Sequence, residues 1–146
     1  SLAVKLSDKL SEKNNLILPI YIMYNILDLL GRILISAVFF LSGINKIQQY
    51  EDTVEWMESF DLPGLLLTPA IILEIVLPIL IVIGYKVRIS AALMALFCFA
   101  TAIIFHADFN NQMQFVSFFK NIGLAGGFLF LVVNGAKDFS LDKKFS

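Results

Sequence analysis

Four recurring blocks of apolar residues, each long enough to cross a bilayer, constrain this chain more than any other feature of it. A helix rises about 1.5 Å per residue, so roughly 20 apolar residues cross a hydrocarbon core about 30 Å thick. The stretches at about 27–47, 65–83, 89–105 and 115–133 meet that length. Mean hydropathy is +0.81 and 58% of the 146 residues are hydrophobic, too little polar surface for a water-soluble fold of this size. The expected class is all-α: a polytopic membrane protein built as an antiparallel four-helix transmembrane bundle.

Three parts follow from the same pattern: an N-terminal amphipathic or interfacial segment (1–26), the bundle (27–134) and a charged tail (135–146). In the first part Leu2, Leu6 and Leu10 recur every four residues, and so do Lys5, Lys9 and Lys13. On a helix these make an apolar and a basic stripe, as in a segment lying on lipid; a solvated tail is the plainer alternative. The apolar run from Leu16 to Tyr24 holds Pro19 and is too short to span, so it reads as a buried or interfacial lead-in. Ser1 in place of an initiator Met leaves room for an upstream stretch.

The connection 48–63 is long and acidic. Asp52 reads as the cap of a short helix with Glu55 three residues on. Val54, Trp56, Met57 and Phe60 give that helix an apolar side, with Trp56 suited to the headgroup level. Gly84–Arg88 is tight, which makes the second and third spans antiparallel neighbours. With four spans, Lys5, Lys9, Lys13, Lys86, Arg88, Lys137, Lys143 and Lys144 fall on one side. The excess of lysine and arginine on cytoplasmic loops then puts both termini in the cytoplasm of a multi-pass plasma-membrane protein.

Net charge is −1, which gives no field for nucleic acid. The one cysteine, Cys98, excludes an intramolecular disulfide, a Cys-x-x-Cys pair and a thiolate zinc site. The single histidine, His106, has only Asp108 near it, too sparse for a metal site, and none is expected. No haem, iron–sulfur or flavin motif is visible, so no intrinsic cofactor is expected.

Four ionisable residues fall inside the spans: Asp28, Arg32, Glu74 and Lys120. Each is costly there, by roughly 2.5–3.5 kcal/mol on insertion scales for a central Asp, Lys or Arg. Asp28 and Arg32 stand four apart in the order that favours pairing, and read as a structural ion pair. Glu74 lies ~15 Å deep, near the midplane, with no basic residue within a turn on its own helix. Ser42, Asn45, Lys46, Thr101, His106, Lys120 and Asn121 occupy the same outer half on other helices. Together with Glu74 they make a candidate polar pocket opening outward, or a polar clasp fixing helix register. Gly123 and Gly127 have the spacing of close helix packing, within the bundle or in a homo-oligomer.

The order Gly31-Arg32, Phe39-Phe40-Leu41-Ser42-Gly43-Ile44-Asn45-Lys46, then Glu74, resembles the DoxX family of small membrane proteins. Gly84 with Arg88, His106, Lys120-Asn121 with Gly126-Gly127, and Gly135 with Ser140-Leu141-Asp142 extend the resemblance over roughly 30–142. It implies a bacterial inner-membrane four-helix bundle, with Arg32, Ser42, Lys46, Glu74, Arg88, His106, Lys120 and Asn121 as the polar signature. It also implies an accessory subunit of a quinone-linked redox complex, with quinone as the bound cofactor and a larger oxidoreductase as partner beside the lipid bilayer. The vitamin K epoxide reductases, four-helix quinone-coupled thiol enzymes, are excluded as a template by the missing cysteine pair. A non-catalytic assembly subunit and a small solute or proton transporter are the alternatives. Whether the chain is itself an enzyme stays open at this point.

Overall fold

The first helix sets the proportions of the molecule. In this computed structural model, which describes residues 1–146, α1 (Leu2–Gln48) runs unbroken for 47 residues. That is ~70 Å at ~1.5 Å per residue, more than twice what a bilayer core requires. Its first stretch, residues 1–24, is exposed throughout, tied to the rest only near its end, where the Tyr21 hydroxyl donates to Asp138 of the tail; burial begins at Asn25. Pro19 lies inside the helix, so the expected break between lead-in and first span does not occur. The lost Pro19 N–H leaves the Asn15 carbonyl without its helical donor, on a stretch where neighbouring turns carry the continuity.

The remaining elements are α2 (Tyr50–Glu58), a 3₁₀ turn (Gly64–Leu66), α3 (Leu67–Ile83), α4 (Val87–Phe105), α5 (Gln112–Asn134) and α6 (Leu141–Lys144). There is no strand. Four helical stretches are long and apolar enough to cross a membrane: α1, Gly64–Ile83, α4 and α5. α2 starts at Tyr50 with no side-chain cap, so Asp52 falls within its first turn and does not cap it. The side chain of Asn111 does cap α5, accepting from the amides of Met113 (3.0 Å) and Gln114 (3.3 Å). α5 therefore begins earlier than the apolar block at 115 suggests. Gly84, at φ +80, closes α3 in the left-handed conformation, and a Cβ there would also collide with Ser140.

α1 packs along α3, α3 along α4, and α4 along α5. Small residues make these approaches possible: Ala91, Ala95, Ala102 and Ala125 are buried, and Gly43 would carry a Cβ 2.9 Å from Ile75. Phe39, Met94, Cys98 and Phe128 fill the centre. Cys98 is fully buried there as packing.

The bundle has two unlike ends. At the tail end, the C-terminal residues fold back as a buckle instead of trailing away. Asn25 accepts from the Asp138 amide (3.3 Å) and Asp28 from the Lys137 amide (3.0 Å). Asp142 accepts from the amides of Lys86 (2.7 Å) and Val87 (2.9 Å), capping the start of α4. Arg88 donates to the carbonyls of Val132 and Val133 at the end of α5, where a helix carries negative character. At the loop end, α2 folds over the openings of α3 and α4.

Candidate functional site

Arg32 and Asp28 form the pair that their spacing predicts, Nε to Oδ2 at 3.0 Å. The guanidinium is fully buried and also donates to the carbonyls of Ile81 (3.0 Å), Val82 (2.8 Å) and Phe139 (2.6 Å). It therefore ties α1, the end of α3 and the tail together, in the fork geometry that suits arginine. It does not line the loop-end cavity. This pair belongs to the scaffold.

The other charge cluster is different in kind. Glu74, 2% exposed, faces α1 across the contact made by Gly43. Lys46 Nζ stands 2.9 Å from Glu74 Oε1 and donates to it, and donates to Ser42 Oγ at 2.7 Å. Ser42 Oγ in turn donates to Oε1 at 3.3 Å. Nζ is also 2.9 Å from Oε2, but off the line that a hydrogen bond needs, so that buried oxygen has a charge beside it and no directed donor. Pro78, four residues after Glu74, removes the amide that would otherwise serve the Glu74 carbonyl. Acid and base are thus held where α3 is locally least self-satisfied, and Lys46 keeps a quarter of its side chain accessible.

A cavity of about 390 Å³ adjoins this pair at the loop end. Its walls are mainly apolar, from Val38 and Phe39 on α1, Phe97 and Ile104 on α4, and Leu124 on α5. Its polar groups are few: Ser42, Lys46, Thr53, Glu74, Thr101, His106 and Asn121. Size and lining match those of small-molecule sites, which are apolar with a few placed polar groups. Thr101 engages its hydroxyl with the Phe97 carbonyl of its own helix (2.9 Å), so toward the cavity it offers lone pairs. His106 Nδ1 pairs with Gln114 Oε1 at 2.9 Å; that contact requires Nδ1–H, which leaves Nε2 as an acceptor in the neutral ring.

α2 covers the site. Met57 packs with Leu67, Ile71 and Phe105, and Tyr50 pairs with Thr68 at 2.8 Å. Trp56 stacks on Phe105 with ring centres 4.5 Å apart and stands 6.4 Å from the His106 ring. Gly64 allows the closure, since a Cβ there would meet Val54 at 2.5 Å.

Of the eight pocket residues predicted from the sequence, six line one cavity: Ser42, Lys46, Glu74, Thr101, His106 and Asn121. Asn45 and Lys120 do not; both are exposed, and Lys120 makes no ion pair. Lys46, not Lys120, is the partner of Glu74. Gly127 would carry a Cβ 2.8 Å from Ile35 of α1, whereas a Cβ on Gly123 would meet nothing. Trp56 and Met57, read from the sequence as an interfacial face, form the lid. Gln114 and Thr53 carried no sequence signal, whereas Pro78 four residues past an intramembrane acid was a legible one.

The DoxX family model matches residues 27–107, which takes in the Arg32 clamp, Ser42–Lys46, Glu74 and His106 and stops short of α5. Two relatives in Escherichia coli K12 extend the likeness. "Inner membrane protein YqjF" is 35% identical over 115 residues, covering 79% of this chain and 88% of that protein. "Inner membrane protein YphA" is 32% identical over 126 residues, covering 82% and 90%. No solved structure matches the chain.

Proposed function

The chain belongs to the DoxX family of membrane proteins, and from that premise we propose that it is an inner-membrane accessory subunit of a redox complex, binding a quinone head group in the loop-end cavity. The carrying observation is the Lys46–Glu74 pair at the edge of an otherwise apolar cavity. A quinone offers two carbonyl acceptors on an apolar ring. The donors available to it are Lys46 and the Asn121 amide, with Phe39, Phe97 and Leu124 against the ring. Glu74 holds Lys46 in place and keeps its charge compensated away from water. The chain's part is recognition and hydrogen bonding; electrons pass between the quinone and a partner oxidoreductase. The inner-membrane names of the two relatives support the location, and the lysine and arginine bias supports a cytoplasmic tail end.

Trp56 is the only tryptophan and lines the cavity, so its fluorescence reports directly on occupancy. Titration of the purified protein in lipid nanodiscs with a short-chain benzoquinone is expected to give saturable quenching, lost in Glu74→Gln and Lys46→Met. Quenching that rises linearly, as for mere partition into lipid, overturns the reading.

A second reading, an assembly subunit without a ligand, is favoured by the uncovered first 24 residues of α1. Its signature is stoichiometric co-purification with a larger complex that survives Glu74→Gln and is lost when that stretch is removed.

A further inference from the structure

The helices around the loop-end cavity are packed unevenly. α1 lies along α3, α3 along α4 and α4 along α5, whereas α1 and α5 scarcely approach. They meet through Ile35 against Gly127 and Phe39 against Phe128, whose ring centres are 5.4 Å apart. From there toward the loop end α1 is followed upward in number and α5 downward. That register brings Ser42 level with Gly123 and Asn45 level with Lys120.

Helical geometry then settles which side of the cavity these residues occupy. On α1, Ser42 and Lys46 border the cavity and Gly43 meets α3; Leu41 and Asn45 lie on the flank away from α3, and both are exposed. On α5, Asn121 and Leu124 border the cavity and Ala125 is buried; Lys120 and Gly123 lie on the flank toward α1, and both are exposed. A Cβ at Gly123 would have nothing within 4 Å. The seam beside the cavity is therefore open at bilayer depth, lined by apolar residues and glycine, with Asn45 and the unpaired Lys120 at its outer end.

We propose that this α1–α5 seam is a lateral portal, through which a ligand with a polar head and a long apolar tail enters the cavity from the bilayer and leaves its tail lying along Gly123. The inference rests on the cavity being a ligand site and specifies the class of ligand: a lipid-resident molecule, not a water-borne one. Lys120 at the outer end suits the level of lipid phosphates, where a long cationic side chain reaches out of the apolar region.

The test compares a tail-less benzoquinone with its decyl-tailed homologue, each followed by Trp56 quenching in nanodiscs after correction for partition. In the unaltered protein the decyl homologue is expected to bind at least tenfold more tightly. Gly123→Phe is expected to lower its association rate at least tenfold while leaving the tail-less quinone unaffected; Val116→Phe, on the same flank of α5, provides a second block that adds no tryptophan. Ile103→Phe, on the exposed face of α4, serves as the control without effect. Binding of both quinones with no gain from the tail, or an unchanged association rate in both blocked variants, overturns the portal and leaves the cavity reading intact. Absence of saturable binding by either quinone overturns both.

Discussion

Two ion pairs hang from the same helix and do opposite things. Asp28–Arg32 lies at the tail end with the guanidinium fully buried and its donors shared among the carboxylate and three backbone carbonyls from two other segments. Glu74–Lys46 lies toward the loop end, with one carboxylate oxygen lacking a directed donor, one side chain partly accessible and a cavity alongside. Both charges are costly at membrane depth, so both must be compensated. The difference is what the compensation leaves over. Where the donors are engaged by a carboxylate and by backbone of other segments, the charge acts as a rivet; where the pair serves mainly itself, polar capacity remains for a ligand.

The sharpest way to break this comparison is to remove the rivet. Arg32→Leu leaves the part-buried Asp28 without its cation, beside an unserved set of carbonyls at the end of α3 and in the tail. Removing one partner of a buried ion pair typically costs about 3–5 kcal/mol. The expected result is a large drop in thermal midpoint in detergent, with the tail becoming accessible to protease. A midpoint near that of the unaltered protein would place Arg32 outside the scaffold.

At the other pair the expectation reverses: affinity falls and stability hardly moves. Glu74→Gln keeps the shape of the side chain and still accepts from Lys46 and Ser42, and polar contacts inside membrane bundles average only about 0.6 kcal/mol. Quinone affinity is expected to fall at least tenfold, which is about 1.4 kcal/mol. Quench titration and thermal unfolding on one sample separate the two effects. If Glu74→Gln unfolds the protein as Arg32→Leu does, both pairs are rivets and the site reading fails.

How much of this was legible in the sequence follows from what a membrane helix hides. Length and hydropathy gave the number of spans, and residue count along a span gave the depths expected of Glu74 and Lys120. Azimuth was not available. In water, an apolar stripe tells which face of a helix turns inward; in lipid, the outside is as apolar as the core and the stripe vanishes. Lys120 and Asn121 are neighbours in sequence but about 100° apart on the helix, so only one of them borders the cavity. Ser42 and Lys46, four apart, share a face, and that spacing was the azimuthal clue present at the cavity. The tail buckle was hidden for another reason: its hydrogen bonds run between Asp142, Asp138 and Lys137 and residues more than 50 positions away.

That buckle supplies a smaller test at the tail end. Asp142 serves two free amides at the start of α4, and loss of such a cap costs about 1 kcal/mol. Asp142→Ala is therefore expected to lower the thermal midpoint by a few degrees and leave quinone binding unchanged. A loss of binding would couple the two ends through α4 and blur the division between scaffold and site.

The smallest effect compares two glycines one turn apart on α5. Gly127 sits where α1 and α5 touch, and an added methyl would press on the end of the Ile35 side chain at 2.8 Å, a contact a flexible side chain can partly relieve. Gly123 sits where the same two helices have parted, with nothing to meet. Alanine is favoured over glycine in a helix by about 0.5–1 kcal/mol, so Gly123→Ala is expected to raise stability by that much. At Gly127 the same gain is set against the displaced Ile35, and the net change is expected to be near zero or negative. Thermal midpoints of the two variants, measured side by side, thus read the separation of α1 and α5. Equal losses at both positions would mean that the seam closes in the folded protein and that the cavity is sealed from the bilayer.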